Sequence, residues 1–139
     1  MTWADVVAYL DGRYRLDHIA PGVVALSWRF DDDDAYVVQS ELVRESVAFG
    51  ELFVVITSEV AAGDALAATE ALHHNATLAI GALVLDDEER YVLRHGILAA
   101  DLSRPVLDRA LELVAHEAAR LSHKLRCRVD PAHYRHYAD

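Results

Sequence analysis

The chain has 139 residues, 53% of them hydrophobic, and a formal net charge of -10. That length and apolar content fit one domain that buries roughly 65–70% of the surface its unfolded chain exposes, with no need of a metal or disulfide staple. The net charge argues against a nucleic-acid binder, which needs clustered Lys and Arg to neutralise phosphate where this chain has a single lysine, Lys124; the single thiol, Cys127, excludes an intramolecular disulfide framework and a four-cysteine zinc site.

From the N-terminus, Thr2 is placed to cap a first helix with Asp5, and Trp3, Val6, Val7 and Leu10 follow the i, i+3, i+4, i+7 pattern before Gly12 offers a stop. After Pro21-Gly22 the pattern alternates: Val24, Leu26, Trp28 and Phe30 share one face of a half-buried strand, with Ser27 and Arg29 on the other. The aspartates at 31–34 break it, and Tyr36, Val38 and Leu42 alternate with Gln39 and Glu41 in a second, antiparallel strand. Past Gly50, Leu52-Phe53-Val54-Val55-Ile56 is apolar on both faces, which predicts a strand central in its sheet and covered on both sides.

Gly63-Asp64 then starts a second predicted helix through Leu66, Ala68, Thr69 and Leu72, ended by Asn75, the only asparagine. Residues 78–85, the acidic turn at 86–89, and residues 90–97 with Tyr91, Leu93 and Ile97 alternating read as a hairpin. Ser103 caps a long last helix that tolerates Pro105 in its first turn, and its apolar stripe is Leu107, Leu111, Val114, Ala118, Leu121 and Leu125. The predicted order is therefore helix, three strands, helix, two strands, helix. Strands in blocks favour an antiparallel sheet, so the fold class is α+β. Residues 1–126 form the domain and 127–139 a C-terminal tail; the last twenty residues hold Arg120, Lys124, Arg126, Arg128 and Arg135 against Asp130 and Asp139. No apolar run has spanning length and the N-terminus lacks a basic start and apolar core, so the expected address is cytoplasmic, which the lone cysteine suits.

The chemistry-bearing residues do not assemble into a known motif. His116-Glu117-Ala118-Ala119-Arg120 puts a fixed cation where a zincin needs its second imidazole, and fits a solvated helix face on which Glu112 pairs with His116. His73-His74 diverge around a helix, and His133-x-x-His136 has no acidic or thiol partner nearby in sequence. The aspartates at 31–34 lack the glycine and glutamate of a calcium loop, the glycines are too scattered for a phosphate cradle, and Cys127, between Arg126 and Arg128, lacks an identifiable base. No catalytic, cofactor or metal residue is assigned. Trp3, Trp28, Phe30, Tyr36 and Phe53 are better candidates, as peptide-binding aromatics or, more plainly, as core.

Over residues 2–126 the element order resembles the YbjN family and the type III secretion chaperones whose fold that family shares. The likeness is sharpest at Ala71-Leu72-His73-His74-Asn75, Gly81-Ala82-Leu83-Val84-Leu85-Asp86 and Tyr91-Val92-Leu93, followed by the long last helix. The resemblance implies a small acidic homodimer that binds an extended stretch of another protein, with no catalytic residues; YbjN members are described as sensory-transduction regulators. It implies a partner groove lined by Trp3, Val6, Val7, Leu10, Trp28, Phe30 and Tyr36, and a dimer face of Leu66, Thr69, Leu72, His73, Leu78, Ile80, Leu83 and Leu85. Eight histidines and the basic end depart from the pattern. They keep two rivals open: a metal- or thiol-dependent enzyme, and an accessory factor working with a nucleic-acid-processing partner.

Overall fold

The computed structural model describes residues 1–30 and 33–129, and side chains outside 33–36 and 127–129. In chain order it has α1 (Trp3–Asp11), β1 (Asp17–Ala20), β2 (Val23–Phe30), β3 (Asp33–Ser46), β4 (Leu52–Ala62), α2 (Ala68–Asn75), β5 (Ala82–Leu85), β6 (Arg90–Leu98) and α3 (Arg104–Val129), with single-turn helices over Ala48–Gly50 and Ala99–Asp101. One six-stranded sheet runs β1-β2-β3-β4-β6-β5, with each neighbouring pair antiparallel.

Capping and periodicity explain the helices at either end of the chain. Thr2 Oγ1 accepts from the Asp5 N–H at 3.1 Å while Asp5 Oδ2 accepts from the Thr2 N–H at 2.9 Å, so each residue satisfies a donor that the first turn of α1 leaves free. The stripe on α3 is buried along its length and lies on β3, β4 and β6. It meets the face carrying Val24, Leu26, Val38, Leu42, Val54, Ile56 and Leu93, and α1 adds Val6 and Leu10. Inside this apolar layer Trp28 Nε1 donates to Ser40 Oγ at 3.0 Å, and Ser40 and Ser58 share a hydrogen bond of 2.7 Å, which satisfies both buried hydroxyls.

Five details differ from the sequence reading. An additional strand, β1, precedes the first expected one. All four of its residues are exposed, so its sequence carries no alternating signal. The second helix starts at Ala68, because Gly63 lies in a turn whose backbone passes Glu89 so closely that any Cβ there would sit 2.4 Å from the Glu89 carbonyl oxygen. The strand expected over 78–85 begins only at Ala82, after Gly81 at φ 67°, a conformation that glycine adopts without strain. Among the described residues, the central strand β4 is covered by helices on one side only. Finally, α3 runs on to Val129, so Cys127 belongs to its backbone rather than lying beyond it.

Asn75 does more than end a helix. Its side-chain amide donates to the Leu83 carbonyl at 3.1 Å and accepts from the Leu83 N–H at 2.7 Å, occupying the hydrogen-bonding position of a neighbouring strand on the edge strand β5. The next turn is pinned similarly: Asp86 Oδ1 accepts from the backbone N–H groups of Glu88 and Arg90, at 3.0 and 2.8 Å, and Oδ2 accepts from Arg90 Nε at 3.1 Å. Burial pushes the Asp86 carboxyl up, but these hydrogen bonds and the Arg90 charge outweigh it and hold the group below its ordinary value.

Asn75→Ala should lower unfolding free energy by about 2 kcal/mol in urea titration, as two hydrogen bonds go and a half-buried Leu83 N–H is orphaned; unchanged stability would contradict the clamp. Because Asp86 is depressed in the fold, its contribution is complete above the unfolded value of 3.8 and disappears as pH falls through the lower folded value. Asp86→Asn should therefore lower stability at neutral pH and flatten the acid limb of the stability profile, read by denaturant unfolding at stepped pH.

Candidate partner-binding surfaces

The residues assigned to a partner groove separate into two sets. Val6 and Leu10 are fully buried in the core cluster, so they cannot line a surface; the amphipathic spacing that singled them out is the spacing of core residues. Trp3 and Val7 are half-buried beside them. Trp28 and Phe30 are half-buried along β2, where the Tyr14 ring packs against Trp28 at 5.6 Å and the His116 ring meets Phe30 edge-on at 4.9 Å. Tyr36 lies on the β3 backbone, and its side chain falls outside the described set. His116 therefore faces Phe30, and Glu112 pairs with Arg109 at 3.7 Å instead of with His116.

Beside this aromatic strip the sheet is unfinished. β1 pairs with β2 only from Val23 to Ala25, so, among the described residues, 26–30 of β2 have β3 on one side and no strand on the other. A hollow of about 430 Å³ lies there, lined by Tyr14, Arg15, Asp17, Leu26, Ser27 and Arg29. Its chemistry is that of a strand edge: backbone donors and acceptors in a row, with Arg15 and Arg29 exposed beside them. Sequence reasoning missed this edge because it missed β1, whose short length exposes it.

The predicted dimer residues also divide. Leu66 and Leu83 are core, and Leu78 and Ile80 are half-buried. Thr69 and His73 are exposed on α2, and Leu72 and Leu85 present 68% and 55% of their surface to solvent. Phe49, which the sequence reading did not select, is fully exposed at the tip of the β3–β4 hairpin with φ 63°. The available sequence signal was a phenylalanine beside Gly50 in the break between two strands.

Around the other end of α1 a polar latch joins it to α3. The Tyr9 hydroxyl donates to Asp108 Oδ2 at 2.6 Å, and Arg13 Nε stands 3.4 Å from Asp108 Oδ1. The hydrogen bond to Asp108 raises the Tyr9 phenol above its ordinary value. The Glu117 carboxylate accepts from Arg120 Nε at 3.1 Å, so the zincin-like segment forms an ordinary ion pair. Among the described residues no three His, Cys, Asp or Glu side chains gather as a metal site. No described helix is long and apolar enough to cross a membrane.

The fold has a solved counterpart. A chain in the crystal structure of the ExsC–ExsE complex superposes with a TM-score of 0.59 and 17% sequence identity, over 88% of this chain and 90% of that one. At that identity the likeness is one of fold, and it agrees with the α+β, secretion-chaperone-like architecture expected from the sequence. No family model and no curated protein matches the chain.

The burial pattern separates core from surface in a testable way. Leu10→Ala should cost about 3 kcal/mol of unfolding free energy, whereas Leu72→Ser should stay within about 0.5 kcal/mol of the parent. Chemical denaturation measures both, and the opposite ranking would contradict the assignment.

Proposed function

We propose that the chain is a non-enzymatic, chaperone-like adaptor that works in the cytoplasm as a homodimer and holds an extended segment of a partner protein. The observation that carries this reading is the open edge of β2 over residues 26–30, bordered by half-buried Trp28 and Phe30 and by the exposed cations Arg15 and Arg29. A partner strand there would continue the line of β1, taking main-chain hydrogen bonds from β2 and side-chain contacts from the aromatics. ExsC is held with ExsE in the complex whose fold matches, which supports a protein as the partner. In this reading the exposed Leu72 and Leu85, with Thr69 and His73, meet a second copy, and the chain is a relative of the YbjN family.

Sedimentation of the purified chain at tens of micromolar tests the dimer. A dimer that becomes a monomer on Leu72→Glu with Leu85→Glu is expected, and a monomeric parent would overturn that part. For the groove, a partner recovered in stoichiometric amount from the native host should bind Arg29→Glu at least about tenfold more weakly with no change in thermal midpoint. Unaltered affinity would remove the β2 edge from the account.

A further inference from the structure

The sheet has a second face, and none of the described helices lies on it. All three helices place their buried residues in the one core cluster, with Val54, Ile56 and Leu93 of the sheet. The register sets the other face in rows: Ala25, Glu41, Thr57, Arg94 and Ala82 in one; Val23, Val43, Val55 and Gly96 in the next; then Glu45, Phe53 and Leu98. Two arginines cross it. Arg94 reaches over β4 to Glu45 at 2.6 Å, and Arg90 is shared among Asp86 at 3.0 Å, Glu88 at 3.4 Å and Glu59 at 3.9 Å. Between them lies a hollow of about 330 Å³ whose lining includes Gln39, Glu41, Val43, Thr57, Glu59 and Val92.

The charge of this hollow is unbalanced. Arg90 serves three carboxylates, and Glu41 forms no ion pair among the described residues. The floor beneath the carboxylates is aliphatic, from Val43 and Val92. An occupant that complements both needs a hydrocarbon stem and a cationic head, which is the chemistry of lysine and arginine side chains. A nucleic acid or an anionic lipid surface is disfavoured by the net charge of -10. A second copy docked face to face about a twofold axis through the hollow would set Glu41 and Glu59 against the same carboxylates. A bare metal ion would leave the aliphatic floor unused.

We propose that this open sheet face is a docking surface for a lysine- or arginine-bearing segment of a partner protein, its side-chain stems lying on Val43 and Val92 and its cationic heads meeting Glu41 and Glu59. The site is distinct from the β2 edge and stands whether or not that edge binds a strand. With both occupied, a partner would wrap from the rim of the sheet onto its outer face.

The test uses the full chain, isotope-labelled for NMR, with a short peptide of alternating lysine and valine as probe and its glutamate-for-lysine counterpart as control. The lysine peptide should shift backbone resonances of β3, β4 and β6 around Glu41, Thr57 and Val92, and the glutamate peptide should not. Glu41→Gln with Glu59→Gln should weaken binding roughly tenfold, while Glu51→Gln with Asp64→Asn, which removes equal charge from exposed positions outside the hollow, should leave it unchanged. Equal weakening by both pairs would show diffuse attraction to an acidic protein and overturn the proposal. So would peptide shifts centred elsewhere, or the same resonances moving on dilution without peptide, which would assign the face to a second copy.

Discussion

Burial of one face of the sheet is the constraint on which the rest of the structure depends. The stripe from Leu107 to Leu125 is buried along its length by lying on β3, β4 and β6, with Val6 and Leu10 of α1 joining the same core. The three described α-helices lie on one side and leave the opposite side to be stabilised by the sheet itself. Val55 is buried on that face, in the register row between those of Arg94 and Glu45, whose salt bridge spans β4.

The same economy decides where the sheet ends. On the β5 side Asn75 supplies both hydrogen bonds that a further strand would give Leu83, so that edge is partly closed by a side chain of the domain itself. On the β1 side closure stops at Ala25, and the remainder of β2 keeps an unpaired edge among aromatic side chains. An unpaired edge is a liability unless it is covered, charged or used. Here it carries Arg15 and Arg29, which discourage pairing with another copy of the same edge and leave it available to a segment of different charge.

Much of the fold was legible in the sequence, because most of it is written in two periods. The helical stripe of α3, the capping pair Thr2 and Asp5, and the alternation of Val24, Leu26, Trp28 and Phe30 all reappear as read. What failed to show was whatever depends on pairing rather than on pattern. β1 is a strand only because β2 holds it, and its exposed residues give no period to read. Gly63 looked like a helix start, yet its position is fixed by the backbone of Glu89, distant in sequence. The candidate surfaces were less legible still, because Val6 and Leu10 carry the same spacing whether a helix face meets a core or a partner. The hollow around Glu41 is set by three strands in register, β3, β4 and β6, and no local window of sequence contains it.

The account rests on a sheet whose β2 rim is vacant in the isolated protein and is filled by a partner. Residue-resolved amide hydrogen exchange of the purified chain addresses this most directly, since alternate N–H groups along a strand point to opposite neighbours. Over residues 26–30 the amides facing β3 should exchange slowly and the intervening ones rapidly, and addition of a bound partner should slow the rapid set alone. Uniform slow exchange across all of these residues in the isolated chain would mean that the rim is already occupied, and would contradict the account.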